Sequence, residues 1–306
     1  MKRTPSSRLL RLRASVALLI VSLLFLPNVS VAVDPATQAS PPTFVIPPPG
    51  ETQELVLRDG SRAFGRVERV EGGRVTFRTT SGVVMEVTAE QIVTLRPVAG
   101  RVVDGRFWPA DPNRTRLFFA PTGRSLRRGA AYLGVYEILL PFVQIGITDQ
   151  ISIGGGTPLI FGGGSQHPFW ITPKVQVFAT KSTRAAVGLL HFLNVGDGHL
   201  GVAYGVVTQG SDDSALTLGL GYAYVRSYDR NPHGAAIGML GGEHRVTRGM
   251  KLVTENYLWR GGGLATGGVR LFGGRLSADL GLVAPLGLDT VVAFPMVNFV
   301  WQFSRD

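Results

Sequence analysis

The sequence predicts an all-β chain: an antiparallel transmembrane β-barrel of about 12 strands, with 10 as the competing number, preceded by a small SH3-like or Sm-like β domain. Three observations carry this expectation. From Ala131 to Phe303, charged residues fall to 21 of 173, about half the usual ~25% of soluble domains, while glycine rises to 30 of 173. That region contains no apolar stretch of 18 residues and no long run with apolar residues at helical spacing. Short alternating runs recur instead at intervals of roughly 12–15 residues, the pattern of membrane strands separated by turns.

Taken from its start, the 306-residue chain opens on MKRTPSSRLLRLR, five cations without an acid, followed by the apolar run ASVALLIVSLLFL. Ser30 and Ala32 occupy the −3 and −1 positions of a cut after Ala32, so residues 1–32 read as a secretory signal peptide. The apolar run from Ala14 to Leu26 has 13 residues, short of the ~20 that a spanning helix needs. Residues 33–50 form a Pro-rich linker that cannot bury a core. With no cysteine there are no disulfides, thiolate metal sites or Cys nucleophile. Export without disulfides suits a bacterial envelope compartment.

Residues 51–98 read as a small periplasmic β domain. Its short β-type runs are broken by Asp59-Gly60, Gly72-Gly73 and Ser81-Gly82, pairs that close tight hairpins. Val75 and Phe77 alternate with Arg74, Thr76 and Arg78, which gives one buried and one wet face. Residues 99–130 form a basic connector. The net charge of +10 is concentrated in the N-terminal third: residues 51–130 hold 14 cations and nine acids, and residues 131–303 hold 11 and 10. Export argues against nucleic acid as the partner. Outer-membrane lipids, the barrel-assembly machinery and, through residues 51–98, anionic cell-envelope polymers are expected instead.

The barrel, residues 131–303, divides into strands at 131–139, 141–148, 150–160, 169–180, 183–193, 199–209, 214–226, 234–244, 250–259, 264–272, 275–284 and 291–303. In ALTLGLGYAYV, Leu216, Leu218, Leu220, Tyr222 and Tyr224 share one face, and Thr217, Gly219, Gly221 and Ala223 the other. The same rule opposes Val143, Ile145 and Ile147 to Gln144 and Gly146. It opposes Leu200, Val202, Tyr204 and Val206 to Gly201, Ala203 and Gly205. Near the end, Leu276, Leu280 and Leu282 oppose Ser277 and Asp279, and Val297, Phe299, Trp301 and Phe303 oppose Asn298, Val300 and Gln302. The apolar face is assigned to lipid and the small or polar face to a narrow lumen. Tyr222, Tyr224, Tyr257, Trp259, Trp301 and Phe303 near strand ends match aromatic belts.

Charge facing lipid near the midplane costs ~2–4 kcal/mol for Arg or Lys. Glu137, Lys174, Glu243, Lys251, Glu255, Arg270 and Asp279 are therefore expected to form a polar network in the lumen. Lys251 and Glu255 share strand parity, and Arg270 and Asp279 face each other across a hairpin. Arg114, Arg116, Arg124, Arg127 and Arg128 precede the first strand and are expected at the rim, binding lipid phosphates or sealing the lumen. The five histidines show no metal-ligand spacing, no catalytic residue is singled out, and no cofactor is expected. His233, beside Ser227, Asp229 and Arg230 in an outer loop, is the best enzymatic candidate.

Phe118 to Gly156 contains Pro121-Thr122-Gly123-Arg124, Tyr132, Gly146-Ile147-Thr148-Asp149 and Gly154-Gly155-Gly156. This segment resembles bacterial outer-membrane β-barrel proteins with a PTGR…Y…YGxTD…GGG entry, with Ile145 in place of the more usual aromatic. Lys251 to Trp259 fits the same pattern. The resemblance implies a barrel in the outer membrane with the N-terminal domain in the periplasm, and it brings no activity. The expected role is structural, narrow-channel or small-ligand binding. The alternatives are an outer-membrane enzyme acting at its external loops and a soluble periplasmic all-β binding protein.

Overall fold

The structure is a computed structural model that describes residues 51–159, 167–196, 198–227, 230–287 and 292–303. The expected signal peptide and the Pro-rich linker lie outside the described residues, as do residues 160–166, 197, 228–229, 288–291 and 304–306.

Five short strands form the first sheet: β1 (Thr52–Leu57), β2 (Arg62–Glu71), β3 (Arg74–Thr79), β4 (Val84–Thr88) and β5 (Ile92–Val98). They pair in the antiparallel order β4-β3-β2-β1-β5. The β2–β3 turn places both Gly72 and Gly73 at positive φ, 52° and 77°, the conformation that closes a two-residue hairpin with the right twist. Leu55, Val67, Val75, Phe77, Val87 and Ile92 make its core, each side chain stabilising the sheet by ~1.5–3 kcal/mol on burial. A short hairpin follows, β6 (Gly100–Val103) and β7 (Arg106–Pro109). Phe107 stacks on Phe64 with ring centroids 4.6 Å apart, which ties the hairpin to the sheet.

The larger sheet comprises β8 (Ala131–Tyr136), β9 (Leu140–Gly146), β10 (Ile151–Gly156), β11 (Phe169–Ile171), β12 (Lys174–Ala179), β13 (Thr183–Val195), β14 (Gly198–Gly210), β15 (Ser214–Ser227), β16 (Arg230–Thr247), β17 (Met250–Trp259), β18 (Gly262–Gly273), β19 (Leu276–Leu286) and β20 (Phe294–Gln302). Both β11 and β12 pair with β10 on one side and β13 on the other. They are collinear halves of one strand, interrupted at Thr172-Pro173 because proline has no N–H to give the ladder. The neighbours bridge the gap, with Thr172 N donating to Gly154 O (2.8 Å) and Leu189 N to Pro173 O (3.0 Å). Counted so, twelve antiparallel strands close on themselves where β20 meets β8, from Tyr132 opposite Gln302 to Asn298 opposite Tyr136.

Outward and inward faces differ as alternation demands. Leu216, Leu218, Leu220 and Tyr222 on β15 are 56–77% exposed, whereas Thr217 between them is 1% exposed. Phe299 and Trp301 face out while Asn298 and Val300 face in, and Leu276, Leu280 and Leu282 face out while Ser277 and Asp279 face in. Among the described residues, no helix is long and apolar enough to cross a membrane.

Two expectations need correction. On β14 the apolar side lines the lumen: Val206 is buried with Tyr204 packed beside it, and Val207 is exposed. Tyr257 likewise points inward, where its hydroxyl donates to Glu255 Oε1 at 2.6 Å. Both have one cause, an apolar object inside the barrel that needs apolar partners.

Candidate functional site

That object is the chain itself. Residues 111–126, expected as a basic connector at the rim, run through the lumen as a plug. Asp111, Asn113, Thr115, Leu117, Phe118, Ala120, Thr122, Arg124, Ser125 and Leu126 are all buried. The plug turns back at its tip, where Leu117 N donates to Ala120 O (2.9 Å) and Arg116 forms a bridge with Pro121. The tip is apolar, and Leu117, Phe118 and Ala120 pack with Ala186, Val206, Met239, Val253 and Met296 of the wall.

Charge fixes the plug along its length. Lys251, Arg270 and Asp279 stand in one row across β17, β18 and β19. Arg270 binds Asp279 through two nitrogens, at 2.6 and 3.0 Å. The adjacent cations Lys251 and Arg270 share Asp111 Oδ2 of the plug, at 2.9 and 3.2 Å. Lys251 also meets Glu243 Oε2 at 2.8 Å, and the other oxygen of Glu243 takes a hydrogen bond from Arg124 of the plug. A buried charge is costly unless paired and hydrogen-bonded, and here wall and plug each complete the other's set.

Backbone groups of the plug are satisfied by wall side chains in the same way. Glu255 Oε2 accepts the N–H groups of Phe118 (2.8 Å), Phe119 (3.0 Å) and Ala120 (3.0 Å). Arg270 donates to the carbonyls of Asn113, Arg116 and Leu117. Lys174 Nζ donates to Arg124 O at 2.6 Å and to the carbonyls of Thr122 (3.3 Å) and Thr115 (3.4 Å). Arg116 donates to the hydroxyls of Tyr132 and Tyr136 and to Gln144 Oε1, with its guanidinium 4.9 Å from the centre of the Phe142 ring.

Of the seven charges assigned to the lumen, six meet the plug or its partners in this way. Glu137 does not: it sits at φ 48° in the turn after β8, where its backbone N–H donates to Val297 O. A turn residue is free to point away from the lumen, which a strand residue is not. Partial desolvation there raises the pKa of its carboxyl. Of the five arginines assigned to the rim, Arg116 and Arg124 lie inside instead, drawn in by lumen hydroxyls and by Glu243. Arg127 and Arg128 are exposed, and Arg114 lies 3.6 Å from Asp212 of the β14–β15 turn. The outer-loop candidate His233 is exposed; Asp229 and the side chains of Ser227 and Arg230 lie outside the described residues.

The motif glycines acquire a physical meaning. A Cβ on Gly123 of the plug would stand 2.1 Å from Arg184 O of the wall, and one on Gly146 of the wall would stand 2.0 Å from Arg127 O, just past the end of the plug. These are the points where plug and wall backbones come too close for any side chain. Asp149, three residues past the β9 end of that contact, accepts the Arg128 N–H at 3.0 Å.

No protein-family model and no curated protein matches the chain. Among solved structures it is similar to OmpT, an outer membrane protein of Vibrio cholerae. The loop L8 deletion mutant matches at TM-score 0.37 and 11% identity, over 83% of this chain and 96% of that one. The in-vitro folded trimer form matches at TM-score 0.33 and 12% identity over 83% and 96%, and the outer-membrane expressed form at 0.34 and 10% over 83% and 95%.

Proposed function

We propose that the protein is an integral outer-membrane β-barrel whose lumen is closed by its own N-terminal segment. Its role is structural or small-ligand binding, with the small sheet of residues 51–98 on the periplasmic side and no free diffusion through the lumen. The carrying observation is the outward face of the barrel, where Leu216, Leu218, Leu220, Leu240, Leu252, Leu280, Leu282 and Phe299 stand exposed around a closed wall. Water on such a surface is unfavourable at ~25 cal/mol per Å², and monomeric soluble proteins rarely expose large contiguous apolar patches. Lipid removes that cost. Among the described residues every barrel strand is paired on both sides, which the hydrocarbon region requires.

Outer-membrane lipids are the partner of that face, and the barrel-assembly machinery the partner of β20. The small sheet, with Arg62, Arg66, Arg69, Arg74 and Arg78 exposed, suits anionic envelope polymers. Alkaline extraction of membranes, followed by electrophoresis with and without boiling, tests the reading. Retention in the outer membrane with a heat-dependent shift in migration supports it. Release into buffer without a shift overturns it in favour of a soluble binding protein.

A further inference from the structure

Where the plug enters and leaves the barrel, a cavity of about 260 Å³ opens between the β6–β7 hairpin, the plug and the wall. Arg101, Arg114, Arg127, Arg245, Trp108 and Gln302 line it. Its carboxylates are already answered. Asp213 pairs with both Arg101 and Arg245, Asp212 lies 3.6 Å from Arg114 and 3.4 Å from Arg124, and Asp111 is shared by Lys251 and Arg270. Four arginines against three aspartates line the cavity, so its lining carries one net positive charge.

One donor on a lining residue is left over. The side-chain amide nitrogen of Gln302, a residue 9% exposed, has no hydrogen-bond partner among the described residues. Trp108 forms part of the lining, with the guanidinium groups of Arg101 and Arg245 at 5.7 and 4.8 Å from its ring centre. Guanidinium forks match the oxygen geometry of phosphate, and a buried polar group without a partner is rare enough to call for a ligand or water. We propose that this cavity binds a phosphate group, carried by a soluble phosphate ester or by a lipid headgroup. Occupied, it ties hairpin, plug and β16 together at the base of the plug.

The test uses the full chain in detergent micelles, titrated with inorganic phosphate while tryptophan emission is followed. A saturable change is expected, half-complete below about 1 mM phosphate. Trp108→Phe should abolish it, leaving Trp170, Trp259 and Trp301 as silent background. Arg114→Gln and Gln302→Leu should each weaken binding by at least about tenfold, the equivalent of ~1.4 kcal/mol. Migration without boiling establishes that each variant is folded. Transfer to nanodiscs containing phosphatidylglycerol separates the sources. A signal already saturated and indifferent to added phosphate assigns a lipid headgroup, and a persistent response assigns a soluble ester. A linear response, one that chloride reproduces at equal ionic strength, or binding unchanged in both variants overturns the proposal. Membrane fractionation reads the barrel's location separately, so either reading can fail alone.

Discussion

Lys251 and Arg270 are direct neighbours across β17 and β18, two buried cations side by side on the inner wall. Like charges in register are destabilising, and Glu243 and Asp279 of the wall, one beside each cation, do not bridge the two. Asp111 of the plug, bonded to each, resolves the conflict. The wall is therefore more stable with the plug in place. Asp111→Asn keeps the shape and removes the charge, leaving Lys251 with Glu243 and Arg270 with Asp279 but no carboxylate between the two cations, at a cost of ~1–3 kcal/mol. Purified variant and parent should differ in planar bilayers: the parent stays closed, and the variant shows discrete conductance steps. An equally silent variant would mean that the apolar tip holds the plug without Asp111.

Glu255 acts at the other end of the plug. One carboxylate oxygen collects three backbone N–H groups, an arrangement in which charge roughly doubles the strength of each bond. Glu255→Gln should lower the temperature at which the unboiled form converts to the boiled one, at a cost of ~1–3 kcal/mol. Glu255→Leu should do so further and admit trypsin to Arg116. A Gln variant that melts with the parent would show that charge contributes nothing there.

How far this was legible in the sequence follows from the same residues. Alternation at Leu216–Tyr222 and at Asn298–Trp301 gave the outer and inner faces directly, because a strand has no other way to present them. Inward charges on Lys174, Glu243, Lys251, Glu255, Arg270 and Asp279 followed from the cost of facing lipid. The plug escaped notice because residues 111–126 form no regular element, so no periodicity marks them. Its signal was complementary: lumen charges that need partners, and a preceding segment in which Arg116, Arg124 and the apolar Leu117-Phe118-Phe119 could supply them. The reversed face of β14 had the same origin. Val206 packs with Leu117 and Phe118, a contact no local pattern encodes.

Two glycines separate close approach from open wall. A methyl group on Gly123 would meet Arg184 O at 2.1 Å, whereas one on Gly205 would find nothing within 4 Å. Gly123→Ala should cost ~1–3 kcal/mol through overpacking and raise trypsin cleavage after Arg116. Gly205→Ala should leave both thermal stability and cleavage within error of the parent. Matching behaviour of the two variants would remove the steric account of the plug's seat.

The outer face offers the sharpest test of what surrounds the barrel. Leu220 is 77% exposed near the middle of β15. On a water-exposed surface, Leu220→Arg would be nearly neutral, since surface changes away from special features stay within roughly 0.5 kcal/mol. In lipid, the same arginine near the midplane costs ~2–4 kcal/mol. Thr217→Val, on the inner face of the same strand, controls for β15 itself: it removes the hydroxyl that meets Thr208 at 2.9 Å without touching lipid. Reversible unfolding in urea, from liposomes and from detergent, reads the difference. A penalty of that size for Leu220→Arg in liposomes, larger than in detergent whose micelle adapts around the charge, places the Leu216–Tyr222 face in the bilayer. No penalty in liposomes means that this face meets water, and the membrane reading falls with it.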